Sequence, residues 1–269
     1  MHPRISLHQI VFDAGSSLAS NLADCRQIGF SSVGLIDQRL LAHQPAEVAR
    51  LVSAHDLRVA SMTCTPLFAP GDPDRWSEAE RKLLTAIDLA TAVRSPLVYG
   101  CTGSAGNLTW SEAAAVVAQR CPPVLQRSRT VDVSVLVEPT LPTYADISFV
   151  SSLRDCLDIS RETGLGINLD IWHVWAERDL EHAIRAASPF ITHCQIADFR
   201  IGNRTMLEKI VPGDGGIPLK QILGWLLEAG YEGVFEIEIH GPTVSEEGRI
   251  DAAQRAGDVV GTLLDELGA

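Results

Sequence analysis

Apolar residues along the chain fall into two alternating patterns. Short, nearly continuous runs occupy 5–12 (ISLHQIVF), 31–37 (SSVGLID), 57–64 (LRVASMTC), 96–101 (PLVYGC), 133–139 (VSVLVEP), 164–170 (GLGINLD), 191–198 (ITHCQIAD) and 233–239 (GVFEIEI). Runs of this length without polar alternation predict parallel strands buried on both faces. Between them, apolar positions recur every three or four residues, which predicts helices over 16–29, 44–56, 74–93, 111–121, 146–162, 179–187, 217–229 and 248–267. Each opens after a capping residue or Pro, and several close on Gly. Eight strand–helix units without a Ser/Pro linker predict an α/β chain, a (β/α)8 TIM barrel forming a single domain over 1–269. A doubly wound open sheet would place a glycine fingerprint after the first strand, and FDAGSSLAS does not match G-x-G-x-x-G. Two non-periodic stretches, 101–107 and 199–216, follow strands and so belong to the catalytic face.

Composition narrows the function classes. With 46% hydrophobic residues in 269, the chain can bury a large core. A net charge of −12 without any basic block argues against nucleic acid, since phosphate binding draws on Lys and Arg, and favours a small molecule. Six cysteines lie scattered without a CxxC pair, which suits reduced thiols in a cytosol; Cys64, Cys101 and Cys194 fall in apolar runs and are expected in the core. The start MHPRISLHQIVFD lacks a signal-peptide pattern, and no run of 18 apolar residues occurs. The expectation is a cytoplasmic protein with no membrane contact.

In a barrel, inward-pointing residues at the C-terminal strand ends carry chemistry. The fifth strand ends in Glu138, the sixth in Asp170, the seventh holds Gln195, and the eighth holds Glu236 and Glu238. Charge at the mouth of an apolar core must be paired, solvated or bound to a cation. Alternation along the eighth strand puts Glu236, Glu238 and His240 on one face and Ile237 and Ile239 on the other. The expected ligands are Glu138, Asp170, Gln195 and a carboxylate of the Glu236/Glu238 pair, an all-oxygen set that leaves two octahedral positions for substrate or water and suits one Mn²⁺ or Mg²⁺, with Co²⁺ a further candidate.

The spacing Asp170-x-x-His173 is not decisive alone. With 34 acidic residues and 8 histidines in the chain, about one such pair arises by chance, and a second stands at Asp179 and His182. The strand end makes Asp170 the ligand and leaves His173 beside it or facing substrate, while Asp179 and His182 fall on a helix as a decoy. Trp172 and Trp175 either stack on a sugar or pack. His8 lines the pocket or sits satisfied in the core, and His193 lies a layer deeper with a structural role. His240 reaches substrate or ends a solvated strand. GDGG (213–216) forms either a phosphate-binding loop or a plain turn.

The stretches VEPT (137–140), LDIWHVW (169–175), HCQIAD (193–198), VPGDGGIPL (211–219) and GYEGVFEIEIHG (230–241) resemble the xylose isomerase-like TIM barrels, which include sugar-phosphate isomerases and epimerases. The resemblance covers about 131–241, and QIAD is similar to hydroxypyruvate isomerase in particular. It implies a metal on Glu138, Asp170, Gln195 and Glu238, substrate contact by His173, and a substrate-binding arginine at Arg200 or Arg204. It also implies a homodimer or tetramer. The implied activity is isomerisation or epimerisation of a keto-sugar or hydroxy-keto acid through a metal-bound enediolate, with Glu138 and Glu238 moving the proton. A dehydratase (lyase) of the inosose or 3-dehydroshikimate type, with His173 as base, is the alternative. A non-catalytic sugar-binding barrel is another. The family's three-zinc DNA-repair enzymes need histidines where the second and third strands end here in Asp37 and Cys64.

Overall fold

The strands form where the continuous apolar runs predict them, and each pairs in parallel with its neighbour in sequence. A computed structural model of the chain describes residues 1–203 and 208–269. The strands are β1 (Ile5–His8), β2 (Ser32–Ile36), β3 (Arg58–Thr63), β4 (Leu97–Gly100), β5 (Ser134–Val137), β6 (Gly166–Asp170), β7 (Ile191–Ile196) and β8 (Phe235–Ile237). β8 also pairs with β1, Ile5 opposite Phe235 and Leu7 opposite Ile237, so the sheet closes into a TIM barrel. Closure leaves no strand edge exposed.

Strand alternation separates two interiors. Ile5, Leu7, Val33, Val135, Val137 and Ile237 join the main core between strands and helices. The opposite set, including Ser6, His8, Ser61, Asn168, His193, Gln195 and Glu236, is buried within the barrel and largely polar. Leu97, Tyr99 and Leu136 form a small apolar cluster of their own there. Gly34 belongs to the inward set, and it must be glycine: a Cβ would stand 2.2 Å from Glu236 Oε1 and 2.6 Å from Ser61 Oγ.

The helices α1 (Leu18–Ile28), α2 (Pro45–Ala54), α3 (Trp76–Val93), α4 (Trp110–Val131), α5 (Leu153–Thr163), α6 (Ile171–Val174), α7 (Leu180–Ala187), α8 (Leu219–Glu228), α9 (Pro242–Glu247) and α10 (Arg249–Glu266) alternate with the strands. α4 is the clearest departure from the sequence expectation of 111–121: it opens on a capping box of Thr109 and Glu112 and continues through Pro122 and Pro123. Two lost amide donors do not end it, because Ala114, Val117, Cys121, Val124 and Ser128 continue one buried stripe at helical spacing. α5 begins at Leu153 rather than near 146, where Ser152 accepts a bond from the Asp155 amide. β1 stops at His8, and Gln9–Val11 form a turn of 3-10 helix. All six cysteines are free and buried, Cys64, Cys101 and Cys194 in the core as expected. Among the described residues, no helix is long and apolar enough to cross a membrane.

Candidate active site

At the C-terminal mouth of the barrel, β5 delivers Glu138, β6 Asp170 and β8 Glu238, all buried. Asp170 is also the N-cap of α6, its Oδ1 accepting the Trp172 amide at 2.9 Å, which aims Oδ2 inward. Between Asp170 and Glu238 stands Lys209, whose Nζ donates to Asp170 Oδ2 and, at 2.7 Å, to Glu238 Oε2. Burial disfavours the ammonium, yet Asp170, Glu238 and Glu138 together raise its pKa. The same cation splits the carboxylates. Burial tends to raise Glu238, but Lys209 and then His8 hold it down at about 2. Burial pushes Asp170 up to about 6 against the pull of Lys209. Glu138, buried beside Glu238 and Asp170, is pushed well above the ordinary carboxylate range and forms no ion pair among the described residues.

His173 lies against the cluster with its Nε2 3.5 Å from Asp170 Oδ2. Its Nδ1 accepts the Leu141 backbone amide at 3.1 Å, so in the neutral ring Nε2 carries the hydrogen. Burial and Lys209 lower its pKa and keep it neutral. Although ligand atoms of Glu138, Asp170 and His173 approach within 4.8 Å of one another, an Nε2–H has no lone pair for a metal. His173 is therefore a hydrogen-bond donor beside the carboxylates.

Gln195 is buried one layer below. Its Oε1 accepts from Asn168 Nδ2 at 2.6 Å, while Nε2 donates to Tyr99 Oη at 2.7 Å and Glu236 Oε2 at 3.1 Å. Glu236 accepts further bonds from Ser61 at 2.6 Å and Ser6 at 3.4 Å, and His193 Nε2 lies 3.4 Å away. This carboxylate is satisfied by the protein: burial opposes its charge, but His193 and Ser61 keep it ionised. His193 sits at this deeper level, as alternation predicts.

The remaining sequence candidates divide. His8 lines the mouth, with Nδ1 3.5 Å from Glu238 Oε1 and Nε2 near Thr63 and Tyr99. Trp172 is buried against Phe199, its ring centroid 5.7 Å from Lys209 Nζ. His240 is half-buried, and burial and Lys209 lower its pKa to about 4. Arg200 is exposed and acts on Glu208 and Asp214, not on the carboxylate cluster. Arg204 lies outside the described residues. Asp179 and His182 are exposed, as expected of a decoy. The GDGG stretch is a turn wrapped around an internal anion: Asp198 accepts the amides of Gly213, Gly215, Ile217 and Phe199 at 2.8–3.0 Å. Those donors are spent on a carboxylate, which favours the plain turn over a phosphate site.

A family model described as xylose isomerase-like TIM barrel matches residues 22–259. The chain belongs to this family. It is 21% identical over 254 residues, 90% of each chain, to an inosose isomerase of Halalkalibacterium halodurans. Among solved structures it superposes on the IolI protein with a bound zinc atom at a TM-score of 0.85, with 17% identity over 98% of this chain and 99% of that one. It likewise matches L-ribulose 3-epimerase at 0.77, with 21% identity over 98% and 95%. These likenesses agree with the barrel built above.

A divalent cation fits this family member's own donor set. Glu138, Asp170 and Glu238 converge in a buried mouth against one ammonium, and without a further cation burial pushes Glu138 towards its protonated form; a divalent ion there would let all three carboxylates stay ionised. Glu138 and Asp170 are the pair brought together most directly. Glu238 is reached through Lys209, and the Gln195 oxygen is engaged by Asn168. Sequence reasoning missed Lys209, Tyr99 and Asn168. Lys209 carries one faint signal, as one of only three lysines in the chain.

Proposed function

We propose that the chain is a divalent-metal-dependent isomerase or epimerase of a small keto-sugar or hydroxy-keto acid. The observation that carries this reading is the convergence of three buried carboxylates whose charge one lysine only partly offsets. Glu138, Asp170 and Glu238 would hold the ion, with the Gln195 amide oxygen completing the set once it turns from Asn168. Bound there, the ion supplies Lewis acidity that makes the C–H beside a substrate carbonyl more acidic.

The chain's own residues supply the rest. Glu138 and Glu238 reach the mouth from β5 and β8, on different sides of the barrel, so one takes a proton and the other returns it. His173 presents its Nε2–H to a substrate oxygen. The buried indole of Trp172, 5.7 Å from Lys209 Nζ, limits water at the mouth. The dehydratase reading assigns His173 as base, and the Nε2–H does not favour it. The family's named members also make a non-catalytic barrel the weaker reading.

Elemental analysis of purified protein, then Mn²⁺ titration of the wild type against Glu238→Gln and Asp170→Asn, tests this. About one ion per chain, lost or much weakened in both variants, is expected, followed by metal-dependent exchange of a substrate proton in D₂O with ketoses or keto acids. No ion, or binding indifferent to both changes, overturns the reading. Loss of water from substrate would move the chain to the lyases.

A further inference from the structure

Lys209 belongs to no strand or helix, yet its backbone is held firmly. Its amide donates to the His240 carbonyl at 3.0 Å and its carbonyl accepts from the His240 amide at 2.9 Å; the next residue, Ile210, pairs the same way with Asp198 at 3.1 and 2.9 Å. Two consecutive bridges, to the ends of β7 and β8, fix the direction in which the side chain enters the mouth. The ammonium is almost wholly buried, with 3% of the residue exposed, and touches both Asp170 and Glu238. Those two carboxylates stand on strands separated by β7, so their backbones lie about 9–10 Å apart at the usual strand spacing. With both ionised, they can converge on one point only if a cation stands between them.

We propose that Lys209 is a tethered cation holding, in the metal-free chain, the seat between Asp170 and Glu238 that a divalent ion takes, so that ion and ammonium compete for the same carboxylates. This rests on the metal-dependent reading above and assigns Lys209 a role in how the site loads. The tether keeps the carboxylates convergent and the mouth folded without an ion. It also weakens ion binding, since the incoming charge must expel a like charge. Nζ already lies over the Trp172 ring, 5.7 Å from its centroid, so the indole face keeps a contact with the ammonium once the carboxylates release it. The arrangement makes the ion readily exchangeable.

The test is Mn²⁺ affinity by electron paramagnetic resonance of the free ion, for wild type, Lys209→Met and Lys209→Arg. Competition predicts at least tenfold tighter binding in Lys209→Met, and near-wild-type binding in the charge-conserving Lys209→Arg. Wild-type binding with Lys209→Met unchanged or weaker overturns the inference and leaves the metal reading intact. No Mn²⁺ binding by wild type overturns both. If Lys209→Met fails to fold, the wild type decides. The chain has three lysines, so ¹⁵N-lysine labelling yields three Nζ signals, with Lys82 and Lys220 as internal references. Mg²⁺ should shift the Lys209 signal and speed exchange of its ammonium protons. A Lys209 signal unmoved at saturating Mg²⁺ overturns the proposal.

Discussion

Tyr99 and Gln195 meet inside the barrel, the amide Nε2 of Gln195 donating to the phenol oxygen at 2.7 Å. Thr63 Oγ1 donates to the same oxygen at 2.9 Å, and His8 Nε2 lies within hydrogen-bond distance of both, 3.0 Å from Thr63 Oγ1 and 3.2 Å from the phenol oxygen. The other ring nitrogen, Nδ1, faces Glu238 Oε1 at 3.5 Å. One buried chain of polar groups thus runs from Glu236 through Gln195, Tyr99 and His8 to Glu238. Tyr99→Phe removes the shared acceptor; Thr63 Oγ1 can turn to His8 Nε2 at 3.0 Å, but Gln195 Nε2 keeps only its bond to Glu236 and loses one buried partner, at a cost of about 1–3 kcal/mol. Urea unfolding should show this as a lower midpoint with an unchanged slope. A variant as stable as wild type would mean that water replaces the phenol.

Asp198→Ala should loosen the loop after β7. Four backbone amides, of Phe199, Gly213, Gly215 and Ile217, lose their acceptor. Charge-assisted bonds of this kind contribute about 1.5–3 kcal/mol each at most, and water recovers part of the loss at exposed glycines. Stability should fall by about 2–4 kcal/mol, and limited proteolysis should cut first within 199–216. Cleavage elsewhere, at wild-type rates, would contradict the account.

Gly34→Ala places a methyl group 2.2 Å from Glu236 Oε1. The carboxylate cannot retreat, being held by Ser61, Ser6 and Gln195. Overpacking here should cost about 1–3 kcal/mol, and pairing it with Glu236→Gln should not restore stability, since the amide occupies the same volume. Glu236→Ala combined with Gly34→Ala should relieve the clash, visible as a non-additive pair in a double-mutant cycle.

Glu177 gives a pH dependence away from the site. Burial raises its pKa to about 7 even though its Oε1 accepts the Leu153 amide at 2.8 Å. A carboxyl whose folded pKa exceeds its unfolded one contributes stability below the unfolded pKa, near 4.5, and loses it as pH rises through about 7. Glu177→Gln mimics the protonated form. It should therefore raise the melting temperature at pH 8 and make little difference at pH 4.5. Equal effects at both pH values would show that the gain is not linked to the carboxyl.

Local pattern determined a great deal of this protein. Continuous apolar runs and helical spacing are properties of neighbours in sequence, and they predict the eight strands and the barrel. Period-two alternation is equally local, so it identifies Glu138, Asp170, Gln195, Glu236 and Glu238 as one inward set. The tertiary structure alone decided who meets whom. The stripe that carries α4 through Pro122 and Pro123 gains its burial from neighbouring elements. The Leu141 amide, 32 residues from His173, sets that ring's tautomer. Lys209 reaches Asp170 and Glu238 across 39 and 29 positions of chain because two backbone bridges aim it there. Arg200, two positions beyond Asp198, turns to solvent instead. A loop residue has no periodicity to betray its direction; closure of the barrel and its bridges set that direction, and with it the charge balance of the site.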